Sequence, residues 1–123
     1  MSLVKTCIGT LLLTGALFAQ NTHTLEDFDE LRQTCLSGNG DNCSTLSSLF
    51  FTGDKNTLSD KYEAIKYSKI GCKFKSSEGC FQLAVGFISG DALPRDNKRS
   101  QKYMKKACSL GLTKACAKIL PKS

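Results

Sequence analysis

His23 is the one histidine of the 123-residue chain, and Cys-x-x-Cys does not occur in it. Zinc sites need close cysteine pairs or histidine clusters, and thiol redox sites need the paired, low-pKa cysteines of Cys-x-x-Cys, so neither chemistry is expected. No metal and no cofactor is therefore predicted. Beyond residue 19 there is no apolar run long enough to cross a bilayer, and no cysteine stands where a lipid-modified terminus would begin. Ser-x-x-Lys, Ser-Asp-Asn and Lys-Thr-Gly, the elements of one class of serine hydrolase, are also missing after the first segment. Ser59-Asp60-Lys61 and Thr52-Gly53-Asp54-Lys55 only echo them. No two carboxylates are spaced convincingly as an acid and base pair. Glu63, Glu78 and Asp91 remain candidate acids, and they read more simply as caps and solvated surface groups.

The first segment is the chain's only long apolar stretch. Lys5 gives a positive start, Thr6 to Phe18 is uncharged and largely apolar, and Ala19 before Gln20 offers a cleavage point, with Ala16 as an alternative. A leader of residues 1–19 and a single small domain of residues 20–123 are predicted. Removing the leader takes Cys7 with it and leaves Cys35, Cys43, Cys72, Cys80, Cys108 and Cys116. An even count in an exported chain points to disulfides, and hence to a periplasmic or secreted protein with no membrane span once the leader is gone. The net charge falls only from +6 to +5 when Lys5 leaves. An anionic partner is favoured. Nucleic acid fits an exported protein poorly, whereas a cell-wall fragment or an acidic protein fits well. The chain reads as a monomer.

Cys72 and Cys80, seven residues apart, would lie about 12 Å from each other along one continuous helix, too far for a disulfide. A hairpin of two antiparallel helices brings such positions together. The cysteines also form two columns, Cys35, Cys72, Cys108 and Cys43, Cys80, Cys116, with steps of 37 and then 36 residues. Leu46, Leu83 and Ile119 align in the same register, as do Phe50 with Phe87, Tyr67 with Tyr103, Asp60 with Asp96, and Gly53-Asp54 with Gly90-Asp91. The period is that of a two-helix solenoid repeat. An all-α solenoid of tetratricopeptide-like hairpins is therefore predicted, with units at about 24–59, 60–95 and 96–123. Of the fifteen pairings open to six cysteines, only Cys35–Cys43, Cys72–Cys80 and Cys108–Cys116 put the same clip in every unit.

Within the units, Phe28, Leu31 and Cys35 share one helical face, as do Cys43, Leu46, Leu49 and Phe50, then Ala64, Ile65, Ser68 and Cys72, and then Cys80, Leu83, Ala84, Phe87 and Ile88. Asp41 or Asn42, Asp60, Ser76-Ser77 and Asp96 are expected caps, and Gly53 a left-handed helix end. Gly86 marks close helix packing. The last helix is expected to run from about Thr113 to Leu120, with Ala115, Ala117, Lys118 and Lys122 on an exposed terminal face. Two lysine rows, Lys66, Lys69, Lys73 and Lys98, Lys102, Lys105, suggest a basic ridge, with Tyr67 and Tyr103 between them. These are the candidate ligand contacts, although tyrosines at this spacing more commonly pack between helices.

Ala64-Ile65-Lys66-Tyr67, Cys72, Cys80-Phe81-Gln82-Leu83 and Gly90-Asp91 resemble the Sel-one-like repeat, a relative of the tetratricopeptide repeat. With an export signal and one cysteine pair per repeat, the chain is similar to the Helicobacter cysteine-rich protein family. That resemblance implies a secreted or periplasmic protein that binds penicillin and hydrolyses β-lactams slowly. It carries no catalytic residue across. Glu30 departs from the pattern, standing where Tyr67 and Tyr103 stand in the other units. The non-catalytic alternative is a repeat scaffold for a protein or a peptidoglycan fragment.

Overall fold

A computed structural model describes residues 25–53 and 59–121. The leader, the cleavage point, His23, Asp54 and Lys122 lie outside the described residues. Among the described residues six helices follow in order: α1 (Leu25–Leu36), α2 (Gly40–Thr52), α3 (Lys61–Lys73), α4 (Ser77–Ser89), α5 (Asn97–Ser109) and α6 (Thr113–Cys116). They form three antiparallel hairpins stacked side by side, an all-α solenoid with no strand among the described residues.

Each helix start has a local cause. Asp60 accepts the amide hydrogens of Tyr62 and Glu63, Ser76 that of Gly79, and Asp96 that of Arg99, each satisfying donors that a helix leaves free at its first turn. The cap of α2 is Asn39, which accepts from the Asn42 amide at 3.1 Å, and not Asp41 or Asn42 as the sequence suggests. Gly40 is therefore the first residue of α2. Asn42 has a different task, donating through its side chain to Thr34 Oγ1 at 2.6 Å and tying α2 back to α1. The residue after α4, Gly90, is left-handed as a helix terminator should be, whereas Gly53 after α2 has a positive φ but an extended ψ of 158°.

The three disulfides pair as the repeat requires, Cys35 with Cys43, Cys72 with Cys80 and Cys108 with Cys116, with Cα atoms 4.7, 4.4 and 4.7 Å apart. Each joins the last turn of one helix to the first turn of the next. On the chain-entropy account, closing such a loop contributes about 2.5 kcal/mol. The first two clips are buried, whereas Cys108 is half-buried and Cys116 exposed.

The hairpins meet through small residues. A methyl group added at Gly40 would lie 2.8 Å from the Phe74 carbonyl oxygen, and one at Gly79 would lie 3.1 Å from Ser44 Oγ across the junction and 2.9 Å from the Cys72 amide nitrogen of its own hairpin. Ser44 and Ser76 share a hydrogen bond of 2.5 Å across this first junction. At the second junction the columns of Gly71 and Gly79 hold Ala107 and Ala115, both fully buried. One pairing recurs with the donor exchanged. The Ser47 hydroxyl donates to the Ala64 carbonyl at 2.8 Å, and the Ser100 hydroxyl to the Ala84 carbonyl at 2.8 Å. Gly86 faces the terminal methyl of Ile65, which occupies the space a side chain would need.

Three expectations are corrected. Ile88 is 42% exposed, because its position on α4 points away from both junctions. Ala115 is buried in the second junction and does not belong to an exposed terminal face. The last helix ends at Cys116, not Leu120. After Ala117 the amides bond three residues back, Lys118 to Ala115 and Ile119 to Cys116, and Gln101 on α5 takes the Leu120 amide at 2.8 Å.

The junction contacts predict that opposite substitutions in one column both destabilise, for different reasons. Gly79→Ala should destabilise by about 1–3 kcal/mol, because backbone cannot give way to the new methyl. Ala115→Gly should cost only about 1 kcal/mol, mostly through helix propensity. Denaturant unfolding with the disulfides intact measures both.

Candidate basic concavity

A concavity of about 670 Å³ opens between α3 and α5. Leu83 and Phe87 of α4 line it together with Leu93 and Pro94 from the connector before α5. Around that apolar lining stand Lys69, Lys73, Arg95, Arg99 and Lys106, opposed by the single carboxylate of Asp96. The helix period explains the placement: Lys69 and Lys73 are four residues apart on α3, and Arg99, Tyr103 and Lys106 recur at helical spacing on α5. Asp96 is already engaged, capping α5 and pairing with Arg99 at 3.5 Å. Arg95 reaches Asn97 Oδ1 at 3.4 Å. Lys69, Lys73 and Lys106 have no carboxylate partner among the described residues, so the lining holds uncompensated positive charge.

The candidate ligand contacts are divided. Lys69, Lys73 and Tyr103 come together in the concavity. Lys66 pairs with Glu63 at 3.4 Å and sits over the Tyr67 ring, and Lys102 sits over the Tyr103 ring, with Nζ 5.3 and 5.6 Å from the respective centroids. Lys98, Lys102 and Lys105 do not line it. Arg95, Arg99 and Lys106, which do, are not found by matching equal repeat columns. A groove between two side-by-side helices is walled by the right flank of one and the left flank of the next, so it draws on different columns from each.

The tyrosines pack between hairpins. Tyr67 is 3% exposed and stacks on Phe50 with centroids 5.6 Å apart, and Tyr103 stacks on Phe87 at 5.8 Å. The three candidate acids each sit in an exposed ion pair: Glu63 with Lys66, Glu78 with Lys114 at 3.1 Å, and Asp91 with Lys61 at 2.9 Å. Such pairs contribute about 1 kcal/mol or less. Among the described residues no group of three His, Cys, Asp or Glu side chains is arranged to hold a metal. No described helix is long and apolar enough to cross a membrane.

The fold agrees with solved structures. Cysteine-rich protein B of Helicobacter pylori superposes with a TM-score of 0.74 at 25% identity, over 82% of this chain and 76% of that one. This chain has the Sel1-like repeat fold and is similar to that cysteine-rich protein. A Sel1 repeat protein of Oxalobacter formigenes matches with a TM-score of 0.65 at 21% identity, over 74% of this chain and 68% of that one. A protective antigen of uropathogenic Escherichia coli with an SLR fold matches with a TM-score of 0.64 at 20% identity, over 70% of this chain but 18% of that one. The last two speak for the fold alone. No protein-family model matches the chain, and no curated protein does. In this Sel1-like chain the Tyr67 column is therefore a stacking position: Tyr67→Ala should cost about 3 kcal/mol or more in thermal or denaturant unfolding, and Lys66→Ala about 1 kcal/mol or less.

Proposed function

We propose that the protein is a non-catalytic repeat scaffold, exported to the periplasm or beyond the cell, that holds an anionic ligand in the concavity between α3 and α5. The observation that carries this reading is the set of unpaired cations, Lys69, Lys73 and Lys106, around the apolar lining of Leu83, Phe87 and Leu93. Carboxylates seated there would meet charge that no partner among the described residues neutralises, and the apolar lining would accept the adjoining hydrocarbon. An acidic protein segment and a peptidoglycan fragment both present such groups. Three disulfides fit an oxidising compartment, and the apolar run of residues 6–18 supports a leader removed at residue 19. On this reading residues 20–123 form one domain of three units.

A second reading, β-lactam binding with slow hydrolysis, follows from the cysteine-rich family resemblance. The concavity offers a seat for the ligand's carboxylate. Its lining, however, has no serine, and its one cysteine, Cys72, is held in a disulfide with Cys80. A nucleophile activated by a neighbouring base, the usual requirement of acyl transfer, is not among those groups.

One set of measurements separates the two. Fluorescence anisotropy with a labelled oligoglutamate peptide and titration with soluble peptidoglycan fragments should show salt-sensitive binding. The Lys69→Glu/Lys73→Glu/Lys106→Glu variant should lose at least tenfold in affinity. Turnover of a chromogenic cephalosporin and of penicillin should stay at background. Equal binding by the triple variant would remove the concavity as the site, and sustained turnover lost in that variant would favour the hydrolase.

A further inference from the structure

Charge is distributed along the solenoid in one direction. Residues 24–59 carry six carboxylates and two cationic side chains, residues 60–95 four and six, and residues 96–123 one and eight. The acidic end has a defined face. Glu26, Asp29, Glu30, Gln33 and Leu36 are all exposed and fall at helical spacing on α1, and Leu36 is 57% exposed. Glu26, Asp29 and Glu30 have no ion-pair partner among the described residues. Glu30 occupies the column in which Tyr67 and Tyr103 stack on a phenylalanine of the preceding hairpin, and no described helix precedes α1. The stripe thus combines unpaired carboxylates with one exposed apolar side chain. The concavity presents the complement, unpaired cations around an apolar lining.

We infer that the concavity's occupant is a second copy of this chain, whose α1 docks by its acidic stripe between α3 and α5 of the neighbour. The inference rests on the proposed anion-binding role of the concavity and names its ligand. Both halves of the contact lie on one chain at different places, so the association is heterologous, head to tail, and a pair of copies keeps one free donor helix and one free concavity. Two copies each of net positive charge still attract locally, because beyond about 8 Å at physiological ionic strength the remaining charges are screened. The contact weakens as salt rises.

The test uses the oxidised mature chain and two blocked variants. Glu26→Lys/Glu30→Lys removes the donor and leaves the concavity. Lys73→Glu/Lys106→Glu removes the concavity and leaves the donor. Circular dichroism and a free-thiol count establish that both remain folded and fully oxidised, and the neutral pairs Glu26→Gln/Glu30→Gln and Lys73→Gln/Lys106→Gln replace them should either fail. Sedimentation velocity at low and high salt should show the wild type growing in mass with concentration at low salt, each variant alone monomeric, and their mixture a 1:1 dimer that goes no further. A wild type that stays monomeric at low salt overturns the inference, as does self-association that both variants retain, or a mixture that fails to pair. If the wild type is monomeric and the labelled oligoglutamate peptide still binds the concavity, self-docking falls and the anion-binding scaffold stands, its ligand being a foreign acidic segment. If neither occurs, both fall.

Discussion

Each hairpin is fixed by one covalent bond between the last turn of its first helix and the first turn of its second. The bond spans eight residues of sequence and holds the Cα atoms within 4.7 Å, which forces the chain to reverse at that place and leaves the two helices antiparallel. A domain of this size buries a modest core and gains substantially from cross-links that restrict the unfolded chain. With the turn fixed three times at the same register, the remaining freedom is how one hairpin sits on the next. That is decided by contacts much smaller than a disulfide.

Two kinds of contact decide it. Near the clips, glycine or alanine columns let helices approach until backbone meets backbone, as at Gly40, Gly71 and Gly79. Further along the helices, a tyrosine of one hairpin stacks on a phenylalanine of the one before it, Tyr67 on Phe50 and Tyr103 on Phe87. The first sets how close the hairpins come, and the second sets how they are turned. Together they open the space between α3 and α5 and line it with Leu83 and Phe87. Of the cations around it, Arg99 joins the stacking, its guanidinium carbon 5.8 Å from the centroid of the Phe87 ring, whereas Lys69, Lys73 and Lys106 have no ion pair or ring contact among the described residues.

The fold was legible in the sequence because every determinant of it repeats. Cysteine columns gave the clips, Asp60, Ser76 and Asp96 the helix starts, and Gly86 a close approach, all visible as local chemistry. What failed was decided by tertiary context. Asn39 displaced Asp41 and Asn42 as cap because Asn42 is drawn to Thr34. The final helix was cut short because Gln101, distant in sequence, offers its carbonyl to the Leu120 amide. The site was half legible: Lys69, Lys73 and Tyr103 converge, but Arg95, Arg99 and Lys106 come from the opposite flank of the next hairpin and from its connector. Alignment by repeat shows which residues are equivalent and says nothing of which flanks face each other.

On the proposed reading the protein works through surface rather than through a reacting atom, so the decisive question is where an added anion touches it. Backbone amide chemical shifts of the oxidised protein, followed while an oligoglutamate peptide is added at a salt concentration that keeps the chain monomeric, answer it residue by residue. The account predicts shifts grouped at Lys69 to Lys73, along Leu93 to Arg99 and around Tyr103 to Lys106. Shifts spread over the outward faces of α2 and α4, or confined to Lys98, Lys102 and Lys105, would contradict it.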